Sequence, residues 1–209
     1  MAISYNRFRL YFALGAAVIA SAVLRDSATA GMPTEQIRST VDKAVLVLKD
    51  PRLKPAAKTK ERRDQIKQIL FSRFDFTEMA KRALGVHWRR RTPNEHEEFV
   101  QLFTELLEHA YAEIIESYSD EKFVYVGERL EGGYADVSSK ILTGRGEEYS
   151  LIYKAHQVNG EWRVYDIVAE NISMVNNFRS QFNRVISGSS YEELRRRLQE
   201  KADLGAAKK

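Results

Sequence analysis

Asp166 and Glu170, near the end of a strand-like run, are the side chains best suited to proton abstraction. A carboxylate held in an apolar pocket can act as a general base, as an isomerase with a cone-shaped α+β fold would use it. No second element of such a site accompanies them. Glu105, His109 and Glu113 recur at i, i+4 and i+8, a spacing that stacks side chains on one helix face. Helical projection turns Glu105 and His109 away from the apolar arc and puts Glu113 at its edge, so the trio reads as a solvated face rather than a metal site. His96 falls on the apolar side of a first helical turn, where a half-buried, hydrogen-bonded imidazole is expected. Arg89, Arg90 and Arg91, beside Trp88 in a loop, form the one basic run suited to a phosphate or an acidic partner. The chain has no Gly-x-Ser-x-Gly elbow and no phosphate-binding glycine loop. It also has no cysteine, which removes thiol catalysis, thiolate zinc sites and redox switching. Neither a metal nor a cofactor is expected.

The ends of the chain bound the setting. The first nine residues carry Arg7 and Arg9 and no acid, and residues 10–23 form an uncharged apolar run closed by Ala28-Thr29-Ala30. That is the layout of a secretory signal peptide, with cleavage expected after Ala30. The run is 14 residues long and stops before Arg25-Asp26. A spanning helix needs about 20. A lipid anchor would need the missing cysteine. The mature protein is therefore expected to be exported and free in solution, with residues 31–204 as a single domain and 205–209 as a disordered tail. The isoelectric point is 9.2 and the formal charge +4, but residues 1–30 hold three arginines against one aspartate, so cleavage leaves +2. So small a charge does not argue for nucleic acid.

The elements that must position any site follow from periodicity and caps. Thr34 is placed to cap a first helix through Ile37, Val41, Ala44, Val45 and Leu48, and a second starts near Lys58. Asp75 caps a short third helix stopped by Gly85. The fourth has the clearest start, with Thr92, Pro93 and Glu95 forming a capping box. It is expected to reach Tyr118. Its apolar residues spread over an arc of about 220°, wider than one packing surface requires. From residue 122 the pattern changes to runs at 122–131, 134–143, 147–158 and 161–169, parted by Gly132-Gly133, Gly144-Arg145-Gly146 and Asn159-Gly160. Hairpin turns of this kind predict a four-stranded twisted antiparallel meander. Helices return at 173–187 and 190–202, the last opened by Ser190 and Glu193. The plan is α+β: N-terminal helices, a long central helix, the sheet and C-terminal helices enclosing a cavity, in a cone-shaped, NTF2-like arrangement.

Two stretches carry a resemblance. The first is Phe74-Asp75-Phe76-Thr77-Glu78-Met79-Ala80, leading through Ala83-Leu84-Gly85 to Trp88 and the Thr92-Pro93 helix with Glu98, Phe99 and Phe103. The second runs from Gly160-Glu161-Trp162-Arg163-Val164-Tyr165-Asp166-Ile167-Val168-Ala169-Glu170 through Ile172-Ser173-Met174-Val175 to Phe178-Arg179-Ser180-Gln181-Phe182. In order and spacing they resemble the signatures of the MlaC, or toluene-tolerance, family. One departure stands out: the family pattern has glycine after the glutamate of the second signature, where this chain has Asn171. Asparagine tolerates a left-handed backbone, so the turn is expected to survive.

The resemblance implies a periplasmic phospholipid carrier without enzymatic activity. It also implies two partner assemblies, an inner-membrane ABC transporter with an MCE-domain subunit and an outer-membrane lipoprotein complex. The phospholipid is cargo, and carriage between the two complexes maintains outer-membrane lipid asymmetry. An apolar wall is then expected from Phe99, Phe103, Leu106 and Tyr111 on the long helix. The sheet is expected to add Val126, Ile141, Leu151, Tyr153, Trp162 and Val164, and the late helix Val175, Phe178 and Phe182. Arg179 and Gln181 are the expected headgroup rim. Two rival readings remain: an exported isomerase or hydrolase with Asp166 or Glu170 as base, and an adaptor that binds transporter components without carrying lipid.

Overall fold

In the computed structural model, residues 32–116, 118 and 120–206 are described, with side chains except at 111–116 and 204–206. The expected signal peptide, Gly31 and the last three residues lie outside the described residues. Six helices are described: α1 (Pro33–Lys49), α2 (Thr59–Phe71), α3 (Phe76–Leu84), α4 (Pro93–Glu116), α5 (Met174–Gly188) and α6 (Tyr191–Ala206). Five strands lie between α4 and α5: β1 (Lys122–Glu131), β2 (Tyr134–Leu142), β3 (Glu148–Val158), β4 (Glu161–Ala169) and β5 (Ile172–Ser173). A 3-10 turn, Gly85–Arg90, joins α3 to α4.

Side-chain caps start four of these helices. Asp75 accepts from the Glu78 amide at 2.9 Å, and Ser173 from the Asn176 amide at 3.0 Å. Thr92 and Glu95 form the reciprocal box, with the Thr92 amide donating to Glu95 Oε2 at 2.6 Å and the Glu95 amide to Thr92 Oγ1 at 3.3 Å. Ser190 caps α6 through the Glu193 amide at 3.1 Å. Thr34 departs from the expected role. Helix α1 starts two residues earlier than a Thr34 cap implies, on Pro33 with Met32 before it and no side-chain cap, and the Thr34 hydroxyl donates across the fold to Glu128 Oε2 on β1 at 2.5 Å. Proline at the first helical position has no amide to satisfy, which frees the threonine for a tertiary bond. Helix α6 continues to Ala206, two residues into the segment expected as a tail, and 207–209 lie outside the described residues.

The sheet is antiparallel throughout, in the order β1-β2-β3-β4-β5. Its fifth strand is an addition to the expected four. Glu170 and Asn171 both take a left-handed backbone, φ 48° and 65°, and this tight reversal pairs Ala169 with Ile172 and Val168 with Ser173. Asn171 thus supplies the conformation for which glycine is the usual residue. On the same edge of β4 as β5, nearer the start of the strand, the α2–α3 connection lies alongside: Val164 donates its amide to Arg73 O and accepts from the Asp75 amide, both at 2.8 Å.

Two apolar clusters hold these layers. One is helical, built from α3, α4, α5 and α6, with Tyr165 as its only sheet residue. The other lies between α1 and the inner face of the sheet, where Ile37 meets Ala135, Val137, Tyr153, Ala155, Trp162 and Val164. Phe74 packs against both.

Candidate functional site

The inner face of the sheet can be followed strand by strand, because directly paired residues of antiparallel strands point to the same side. At the end covered by α1, Ala135, Ala155 and Val164 are in register and fully buried, with Val164 at 1% exposure. The next row, Val137, Tyr153 and Ile167, is buried except for half-buried Ile167. Beyond it the face opens. Tyr125, Ser139, Leu151, Ala169 and Ile172 form one row, and Phe123, Ile141 and Tyr149 the last. In these two rows only Ser139 is buried; Phe123, Ile141 and Leu151 are half-buried, Tyr149 is 43% exposed and Ile172 65%.

A small band of hydroxyls marks the transition. Tyr125 and Tyr153 stack with ring centroids 6.5 Å apart, and Ser139 is fully buried beside them on the face. Burial raises the Tyr153 phenol to about 12, and burial also pushes the Tyr125 phenol well up. The Tyr125 hydroxyl is buried beside the Tyr153 phenol, and among the described residues no group meets it in full hydrogen-bond geometry. On the α1 side Arg73 is tied down three ways, to Thr40 Oγ1 at 3.2 Å, Gln36 Oε1 at 2.8 Å and Trp162 O at 2.8 Å. These bonds lock α1 over the closed half and leave its polar groups satisfied.

The expected wall residues divide between the two clusters. Phe99, Phe103, Leu106, Val175, Phe178 and Phe182 are buried together in the helical cluster, where Phe103 meets Phe178 and Phe182 edge-on at 5.4 and 5.8 Å. Tyr153, Trp162 and Val164 belong to the α1–sheet cluster, and Leu151 packs against its margin. Ile141 lies on the open half. Val126 is not brought to this face: it sits at the bulge where β1 shifts register between Tyr125 and Gly127, and is 55% exposed. Phe123 and Tyr125 are the inward residues of β1, so Val126, like Val124 at 41% exposure, falls on the outer side. With Met32, Arg38 and Glu128 it lines a shallow concavity of about 370 Å³ between α1 and β1. The side chain of Tyr111 lies outside the described residues.

The two expected rim residues are on the surface of α5. Arg179 donates from Nε to Arg82 O at 2.7 Å, closing the C-terminal end of α3, and Gln181 donates to Asn177 Oδ1 at 3.3 Å. Phe123, Tyr149 and Ile172, by contrast, reach the open face without having been singled out in the sequence. The register of the strands identifies them, and the only sequence signal was their alternation within each run.

The residues with catalytic potential are engaged elsewhere. Asp166 is buried, and both its oxygens are used: Oδ1 accepts from the Val175 amide at 3.0 Å and Oδ2 from the Ser173 hydroxyl at 2.6 Å. It joins β4 to the start of α5. Glu170 is exposed and holds Ser150 across the sheet, and bonds from the Ser150 amide and hydroxyl keep its carboxyl below the ordinary range. His96 stacks on Trp88 at 3.8 Å with its Nε2 3.0 Å from Trp88 O. Among the described residues no group of three or more acidic or histidine side chains could hold a metal ion. Asp166→Ala should lower stability by about 1–3 kcal/mol, because it leaves the buried Val175 amide unsatisfied. Urea unfolding checks this, and a loss under half a kcal/mol would refute the corner role.

These features define an α+β protein whose single twisted sheet is sealed by a helix over one half of its inner face and left apolar and partly open over the other. The chain belongs to the MlaC protein family, whose sequence model matches residues 38–200. It is similar to the intermembrane phospholipid transport system binding protein MlaC of Haemophilus influenzae, at 25% identity over 126 residues, 58% of this chain and 59% of that protein. It is also similar to the toluene tolerance protein ttg2D of Pseudomonas putida, at 25% identity over 121 residues, 57% of this chain and 56% of that protein. The chain thus matches less than two thirds of the length of either curated relative. Among solved structures, a phospholipid-binding protein from Ralstonia solanacearum in complex with a phospholipid shares the fold. Its TM-score is 0.72 at 24% identity, over 83% of this chain and 98% of that one.

Proposed function

We propose that the protein is a periplasmic phospholipid carrier whose open sheet face takes the acyl chains. The observation that carries this reading is the pair of apolar rows, Phe123–Ile141–Tyr149 and Leu151–Ala169–Ile172, held in register beside a sealed core yet only partly buried. Contiguous apolar surface of this kind usually marks a ligand or partner. Each methylene withdrawn from water contributes about 0.8 kcal/mol, so a two-chain lipid left unprotected would cost on the order of 20 kcal/mol. A surrogate for the bilayer interior removes that barrier, and the task needs no catalytic group. The engagement of Asp166 and Glu170 in structural bonds speaks against the isomerase or hydrolase reading.

On this reading Ile141 and Leu151 touch the tails, with Tyr153 at the inner limit. Trp162 and Val164 close the sealed end of the same face under α1, and the helical cluster is the frame. Arg179 and Gln181, exposed on α5, are the proposed headgroup rim. Export follows from the signal-like residues 1–30, and among the described residues no helix is long and apolar enough to cross a membrane. N-terminal sequencing of the protein recovered from the periplasm is expected to start at Gly31; intact residues 1–30 in the membrane fraction would overturn this. The partners are the inner-membrane transporter with its MCE-domain subunit and the outer-membrane lipoprotein complex. Native mass spectrometry of protein purified from cells tests the central point. Bound phospholipid is expected, and a protein consistently empty would favour an adaptor that carries no lipid.

A further inference from the structure

The basic run after α3 is not absorbed by the lipid site, and the structure joins it to cations from another part of the chain. His87 Nε2 lies 2.9 Å from Asn183 Oδ1, and Arg179 packs along Gly85 while binding Arg82 O. The 3-10 turn is therefore seated on α5, and this contact puts Arg89 and Arg90, two and three residues after His87, on a segment adjoining the one where Arg184 follows Asn183. All three are exposed and have no ion pair or hydrogen bond among the described residues. Neither the turn nor α5 contains an acidic residue. The carboxylates nearest the turn in sequence are already committed, Glu78 to Lys81 and Arg82, and Glu95 to Arg91. Val86 projects from the same turn at 77% exposure.

We infer that this surface docks the protein on bilayers containing anionic phospholipid. The inference deepens the carrier reading, on which it rests, by supplying the contact through which a carrier reaches a membrane. The chemistry favours a headgroup layer over an acidic protein. Lasting protein interfaces are held by large side chains buried in shaped pockets. Trp88, the one large ring nearby, is already stacked on His96, which leaves diffuse charge and one small apolar tip. A fluid anionic surface needs no more, since each arginine near it raises partitioning by about fivefold. Such binding is reversible and weakens with salt.

The test is co-sedimentation of the purified, lipid-bearing protein with vesicles of phosphatidylcholine alone and of phosphatidylcholine mixed with phosphatidylglycerol. Sedimentation with the anionic vesicles only, abolished by high salt, is the expected result. The variant R89E/R90E/R184E should lose more than the roughly hundredfold in partitioning that removal of three positive charges alone accounts for. R89Q/R90Q/R184Q, checked by circular dichroism, should fall between it and the parent. Failure to sediment with anionic vesicles at low salt, equal sedimentation with neutral vesicles, or undiminished binding by the charge-reversed variant would each overturn the inference. The first of these, with an acidic protein captured instead, would assign the patch to a protein partner. Bound lipid measured in the same samples separates the two readings: an empty protein that still sediments sinks the carrier, and a loaded one that ignores vesicles sinks the docking surface.

Discussion

Leu151→Trp is expected to empty the protein of phospholipid while moving its melting temperature by only a few degrees. Leu151 stands between Ser139 and Ala169 on the inner face and is half-buried, so an indole there can extend over the open rows without displacing a packed neighbour. Val164 provides the contrast. It looks equivalent in the sequence, since both are apolar strand residues, but it is fully buried against α1 and its amide and carbonyl are both held by the α2–α3 connection. Val164→Trp should therefore cost at least about 1–3 kcal/mol by overpacking, which for a domain of this size lowers the melting temperature by several degrees. Native mass spectrometry gives lipid per folded molecule and thermal denaturation gives stability. If Leu151→Trp unfolds the protein while each folded molecule keeps its lipid, the open half of the face is core and the proposed site is misplaced.

The second large effect belongs to the helical cluster. Phe103→Ala should lower stability by about 3–5 kcal/mol, enough to shift the melting temperature by on the order of 10 °C. Phe103 is completely buried among three other rings, with Phe99 at 6.1 Å in addition to the edge contacts with Phe178 and Phe182. The loss combines the transfer free energy of a large ring, the cavity left behind and the edge-to-face contacts. Denaturant unfolding measures it directly. A residue lining a ligand cavity would behave differently, because its removal only enlarges a space already present. A cost below about 1 kcal/mol together with lost lipid would therefore return Phe103, and with it Phe99 and Phe178, to the lipid wall.

Much of this protein was legible in the order of its residues because the signals were local. The capping boxes at Thr92–Glu95 and Ser190–Glu193, the Asp75 cap and the glycine stop at Gly85 each depend on atoms within a turn of one another, so residue type and spacing determine them. The hairpins at Gly132-Gly133 and Asn159-Gly160 form for the same reason, with positive φ at all four residues. The family was legible too, since two signatures stand in fixed order at residues 74–103 and 160–182, within the span that the family model matches.

Only the tertiary structure decided which apolar residues seal a core and which are left open. Phe103, Leu151 and Val164 have the same transfer chemistry, and amphipathic periodicity says only that each points inward. Burial depends on what packs opposite. Helix α1, locked by the Arg73 bonds to Gln36, Thr40 and Trp162, covers one half of the sheet and stops short of the other. The phase of β1 that leaves Val126 outside, the extra strand after Asn171 and the contact that seats the turn carrying Arg89 and Arg90 on α5 are likewise products of packing between distant segments. Hydrophobic burial is non-directional and shared by every pair of apolar surfaces, so a one-dimensional pattern records that a side chain avoids water but not which surface it finds.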